Sequence, residues 1–132
     1  MEGVFISMRL CHPTLDVKAM CEKFGLKPKR AWLSGELKQT SKGAALQETY
    51  ADSYCACDLP FDHAEYFEDG LRLVAEILKP HALTLNEFSQ DGGRISLFIS
   101  LEKGVFQGAE IKPGVLAELA ALHMTLEIDR NL

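Results

Sequence analysis

Apolar and polar residues alternate at the start of the chain. Val4, Ile6, Met8 and Leu10 fall on one side of an extended backbone, with Phe5, Ser7 and Arg9 on the other. A period of two predicts a strand with one buried face. The spacing then changes. Val17, Met20, Cys21 and Phe24 follow the i, i+3, i+4, i+7 pattern of a short amphipathic helix. Asp16 or Thr14 can cap its first free N–H groups. Gly25 can take the left-handed conformation at its end, with Leu26 folding back on the last turn. Pro28 prevents continuation.

Polar residues with Trp32, Gly35 and Gly43 among them fill positions 29–46. They predict a short strand near Ala31–Leu33 and then a long loop. Alternation returns from Gln47 to Cys57, with Tyr50 and Tyr54 on one side and Thr49, Ser53, Cys55 and Cys57 on the other. Pro60 ends it. Asp62 and Glu65 have capping-box spacing. The stripe Phe67, Leu71, Val74 and Leu78 then predicts the longest helix, with Glu68 and Arg72 paired at i,i+4 and Pro80 as its stop. Residues 81–93 read as irregular up to the turn Asp91-Gly92-Gly93. Ile95, Leu97, Ile99 and Leu101 form the clearest strand, with Ser96, Phe98 and Ser100 on its other face. Pro113 suits the first turn of a helix with Leu116, Leu119 and Ala120 inward. Met124, Leu126 and Ile128 close with a strand.

The predicted order is β-α-β-β-α-β-α-β. It implies one α+β domain over residues 1–132, with a mostly antiparallel, ferredoxin-like sheet. Helices starting near Val17, His63 and Pro113 cover one face. Composition agrees: 47% apolar residues in 132 positions are enough for a core without a metal or disulfide staple. Net charge is −5 with a pI near 5.3. The densest basic group is only Lys27, Lys29 and Arg30, so a nucleic-acid partner is not expected. No apolar run approaches the ~20 residues of a membrane helix, and no secretory signal is expected at the N-terminus. A cytoplasmic location follows, with Cys11, Cys21, Cys55 and Cys57 as thiols.

Several of these segments resemble one bacterial family. Ile6-Ser7-Met8-Arg9, Asp16 through Gly25-Leu26-Lys27-Pro28 and Trp32-Leu33-Ser34-Gly35-Glu36 carry the likeness. So does Leu116-Ala117-Glu118-Leu119-Ala120-Ala121-Leu122 leading into Leu126-Glu127-Ile128-Asp129. Together they make the chain similar to the DUF4279 family, a bacterial domain of unknown function. The middle strand departs from that family's usual tryptophan, offering Tyr50 or Tyr54. The resemblance implies an α+β fold with helices on one side of a sheet. It transfers no catalytic residue.

Candidate chemistry is sparse. Cys55-x-Cys57, with Asp58 and His63 nearby, offers metal-ligand types. A strand places i and i+2 on one face about 7 Å apart, so the pair supplies at most two ligands and cannot bridge. Cys11-His12 is adjacent in sequence, but nothing in the sequence orients the imidazole toward the thiol. His63, His81 and His123 fall near predicted helix ends. No nucleophile elbow, P-loop or dinucleotide fingerprint is present, and no cofactor is expected. Trp32, flanked by Arg30 and Glu36, is either a lid over the sheet edge or a binding anchor. The sheet face away from the helices collects Phe5, Ser7, Arg9, Ser96, Phe98, Ser100, Thr125 and Glu127. The candidate interaction surface is therefore Arg9, Arg30, Trp32, Glu36, Phe98 and Glu127. The expectation is a non-catalytic binding module, immunity-protein-like in size and acidity, with a protein partner or a second copy as its target. The alternative is a small metal- or thiol-dependent hydrolase using Cys55, Cys57 and His63.

Overall fold

A computed structural model describes residues 3–59, 66–102, 104 and 108–131. The first strand, β1 (Val4–His12), runs into helix α1 (Val17–Lys23). The Asp16 carboxylate accepts from the N–H groups of Lys18 (3.1 Å) and Ala19 (3.3 Å). Gly25, at φ 79°, ends the helix. Its N–H donates to the Glu22 carbonyl, and that of Leu26 to the Cys21 carbonyl. This is the paired C-terminal closure that only a left-handed residue permits at low cost.

Strands β2 (Pro28–Trp32), β3 (Leu37–Gln39), β4 (Ala45–Thr49) and β5 (Ser53–Asp58) follow. Here the sequence reading needs correction. The expected loop contains a hairpin of β3 and β4, a two-stranded sheet of its own. The expected strand from Gln47 to Cys57 is two strands, broken at Tyr50–Asp52. Every β4 residue is exposed. With no buried face there is no alternation to read; the signal lies in the turn, where Thr40 accepts the Gly43 N–H at its carbonyl and the Ala44 N–H at its hydroxyl.

Helix α2 (Phe67–Leu78) buries Phe67, Leu71, Val74 and Leu78 as predicted, and Arg72 bonds Glu68 at 3.2 Å. The proposed cap at Asp62 and Glu65, and the helix start near His63, lie outside the described residues. Pro80 does not end the helical stretch. It sits at the start of a 3₁₀ turn (Lys79–His81), where no N–H is needed, and α3 (Ala82–Gln90) continues from it. The segment expected to be irregular is thus a helix that buries Leu85 and Phe88. Strand β6 (Arg94–Glu102), α4 (Pro113–Ala121) and β7 (Met124–Asn131) complete the chain. Pro113 occupies the first turn of α4, but its inward residues are Val115 and Leu119. Leu116 and Ala120, expected inside, are exposed.

The main sheet has the order β2-β5-β1-β6-β7. The first three pairings are antiparallel and β6–β7 is parallel, so the sheet is mixed. It follows that β1 runs parallel to β2 with β5 between them, and β5 parallel to β6 with β1 between them. Such connections require crossovers, and the helices supply them. The inner face carries Val4, Ile6, Met8, Leu10, Cys55, Cys57, Ile95, Leu97, Ile99 and Met124. These join the buried residues of the helices in one core cluster. The cover thins toward the β7 end, where Ile128 is 61% exposed.

Candidate functional site: the open sheet face and a buried thiol cluster

Alternation sends the other residues of each strand to the outer face, where they remain partly or fully exposed. The strand registers arrange them in rows. One row reads Trp32, Tyr54, Cys11, Arg94, and the next Arg30, Ala56, Arg9, Ser96, Thr125. A third reads Asp58, Ser7, Phe98, Glu127, and the last Phe5, Ser100, Asp129. Arg9, Arg30, Trp32, Phe98 and Glu127 therefore share one face.

Arg9 lies on the central strand. Its guanidinium sits 3.7 Å over the centre of the Phe98 ring. Close cation–π contact of this kind is worth about 0.5–2 kcal/mol. Its Nε is sealed from solvent and has no hydrogen-bond partner among the described residues. A groove of about 940 Å³ runs past Arg9, Phe98, Ser100, Phe5 and Lys29. Trp32 stacks on Tyr50 (4.2 Å) and Tyr54 (4.4 Å), and its indole N–H donates to the Asp52 carbonyl at 3.1 Å. Arg30 lies 5.0 Å over the same indole. Burial pushes the Tyr54 hydroxyl pKa up. Glu36 is not on the sheet face. It follows β2 and lines a second groove with Arg30, Trp32 and Tyr50. The tryptophan is thus packed against the hairpin connection, and sequence reasoning missed the two tyrosines that hold it.

The Cys11-His12 pair does not assemble. Cys11 is on the outer face and His12, 3% exposed, on the inner. The His12 ring is in fact oriented. Its Nδ1 accepts the N–H groups of Thr14 (3.1 Å) and Leu15 (2.8 Å), which leaves Nε2–H to donate to Asp91 at 2.9 Å. With both nitrogens engaged, the imidazole pins the end of β1 to the end of α3 and has no free lone pair for base catalysis. His123 bonds the Asn86 side chain at 2.8 Å, and His81 packs 4.7 Å from the Phe24 ring. His63 lies outside the described residues.

Cys55 and Cys57 do share the inner face, and their sulfurs lean to 3.7 Å, well inside the spacing of the backbone. A third thiol joins them. Cys21, from α1, completes a group whose sulfurs all lie within 4.8 Å of one another, each residue fully buried. Hydrogen bonds from Cys21 and then Cys57 favour a thiolate on Cys55 against the cost of burial, so its pKa is lowered. Cys21 is raised by its bonds to Cys55 and Cys57 and by burial. For Cys57 the Cys21 bond acts downward, but the Cys55 bond and burial outweigh it. All four cysteines are free thiols.

Comparison of the chain with protein-family models, with curated proteins and with solved structures found no match in any of the three. Among the described residues, no helix is long and apolar enough to cross a membrane.

Proposed function

We infer that the protein is a non-catalytic cytoplasmic binding module that docks a protein partner on its open sheet face. The observation that carries this reading is Arg9: a guanidinium held 3.7 Å over the Phe98 ring at the centre of the face. The side chain as a whole is only partly buried, so an arriving carboxylate or carbonyl can bond the open side of the guanidinium. Stacked aromatics at Trp32 and Tyr54 supply the rigid apolar area typical of binding hot spots. A heterologous partner fits better than a second copy. A two-fold axis through the central strand would bring Arg9 against Arg9, whereas a partner carboxylate completes its bonding. Glu127 and Asp129 at the β7 margin suit basic groups on the same partner. With the net charge of −5, that margin supports an immunity-protein-like role, in which the chain caps a partly basic surface.

Two finer readings belong to this proposal. Taken without β7, the order β2-β5-β1-β6 with two interleaved crossovers supports a ferredoxin-like arrangement, with α4 and β7 added at one edge. Membership of the DUF4279 family rests on the motifs quoted above. In the hydrolase alternative Cys55 and Cys57 would have to act from a fully buried position on the inner face.

The test is affinity capture from the native cell with wild type and Arg9→Glu side by side, after circular dichroism establishes that both fold. The same partner should be retained by wild type and lost by the variant. Equal capture by both removes the face from consideration. Light scattering completes it: a stable wild-type dimer that becomes a folded monomer on Phe98→Ser replaces the heterologous partner with a second copy.

A further inference from the structure

The cluster of Cys21, Cys55 and Cys57 lies on the sheet face opposite to Arg9 and has no part in the docking reading. Three thiols from two elements, separated by 34 and 36 positions in sequence, converge in one place. A lone buried cysteine is an ordinary small apolar residue. Three whose sulfurs lie within 4.8 Å of one another can act together as ligands. The 3.7 Å between Cys55 and Cys57 lets both reach one central atom, since two sulfurs each about 2.3 Å from a shared centre can stand at most about 4.6 Å apart.

We propose that Cys21, Cys55 and Cys57 form a binding site for a soft, thiophilic, three-coordinate centre, with trivalent arsenic as the best match. The surroundings decide the class. Thiolate sulfurs select soft acceptors over hard ones. Among the described residues the cluster is thiol alone, with no His, Asp or Glu. Met8 and Leu10 are the cross-strand neighbours of Cys57 and Cys55 on this face. Such a core penalises residual charge steeply. Three thiolates leave a monovalent ion at −2 and a divalent ion at −1, whereas a trivalent centre is neutral. The exchange also balances without a base or a redox partner. Arsenous acid, As(OH)₃, meets three thiols; three As–O and three S–H bonds break, three As–S bonds and three O–H bonds form, and three waters leave. Arsenic stays trivalent. Entry requires α1 to lift, and α1 is a seven-residue helix whose local opening is the expected route. Bound arsenic then staples α1 to β5, which stabilises the folded chain.

The experiment uses reduced, full-length protein incubated separately with arsenite, Zn²⁺ and Cu⁺ without oxygen. Each sample is gel-filtered, then read by elemental analysis, near-ultraviolet absorbance and melting temperature. Wild type and Cys11→Ser should both retain stoichiometric arsenic, show a sulfur-to-arsenic band and melt higher. Cys21→Ala, Cys55→Ala and Cys57→Ala should each lose retention and the melting shift. Alanine keeps each site apolar, and circular dichroism of the three variants before loading identifies any that fail to fold. Two folded variants among the three suffice. No arsenic on folded wild type overturns the proposal, as does full retention by a folded Cys21→Ala. Tighter stoichiometric binding of Zn²⁺ or Cu⁺ than of arsenite overturns the charge argument.

Discussion

Gly93→Ala is a stringent test of the packing between α3 and the sheet. Gly93 follows the C-terminus of α3, where its N–H donates to the Phe88 carbonyl at 2.9 Å. It is outside the left-handed region, so an added methyl brings no backbone strain. The cost is steric. A Cβ there would stand 2.4 Å from Phe88 Cε1, 2.5 Å from Cδ1 and 2.6 Å from Cζ. The ring has little room to retreat. Phe88 is 3% exposed, and the buried His12 ring lies 5.4 Å from it, held by bonds from Thr14 and Leu15 and to Asp91. Overpacking of this kind costs about 1–3 kcal/mol. Stiffening the unfolded chain returns about 0.4–1 kcal/mol, so the net effect is destabilising. Urea unfolding followed by Trp32 fluorescence should show a lower midpoint with an unchanged slope. Phe88→Leu removes the clashing ring edge, so the double variant should lose less than the sum of the singles, by about 0.5–3 kcal/mol of coupling. A Gly93→Ala shift within about 0.5 kcal/mol of wild type, or strict additivity with Phe88→Leu, refutes the reasoning.

Leu71→Ala should cost about 2–5 kcal/mol through lost transfer energy and a cavity, because Leu71 is fully buried on α2; a midpoint shift worth under half a kcal/mol would show that the site collapses freely. Brief alkylation of the native protein should label Cys11 alone, because it is half-exposed while the other three are enclosed. Burial raises the Cys11 pKa above the ordinary thiol value of 9.0, so less thiolate is present at a given pH. Its rate should trail that of an unhindered thiol at neutral pH and keep rising beyond pH 9.0; comparable labelling of Cys21, Cys55 or Cys57, or a plateau below the ordinary value, contradicts this.

The parts of the fold legible in the sequence are those where one face is buried and the other wet. The residues of β1, β6 and α2 repeat at the period of their element because water and core impose opposite demands on alternate positions. The Asp16 cap and the Gly25 closure were legible for a different reason: each is a local backbone requirement met by a residue type nearly specific to it. Illegible elements lack both marks. The β3–β4 hairpin has no buried face among its β4 residues. Helix α3 follows a 3₁₀ turn whose proline, Pro80, reads equally well as a stop or a start. In α4, apolar residues occupy every side (Val115, Leu116, Leu119, Ala120), so the sequence offered several stripes and packing against α2 and β7 selected Val115 and Leu119.

The candidate surface follows the same division. Arg9, Phe98 and Glu127 were placed together by alternation alone, and the registers put them in adjacent rows. Cys21 could not be placed with Cys55 and Cys57 in that way, because helix phase and strand phase are independent until α1 docks. Once it does, β5 becomes a strand with two unrelated jobs. Ser53, Cys55 and Cys57 face the core, while Tyr54, Ala56 and Asp58 face the open side. A slip of one residue would put Tyr54 in the core and the thiols among the arginines. The register is held by groups on both sides at once. The Ser53 hydroxyl, fully buried, accepts the Ser34 N–H at 2.9 Å, and the Trp32 indole grips the Asp52 carbonyl at 3.1 Å. Trp32 and its tyrosines thus fix the strand that carries both candidate sites, whether or not the same stack meets a partner.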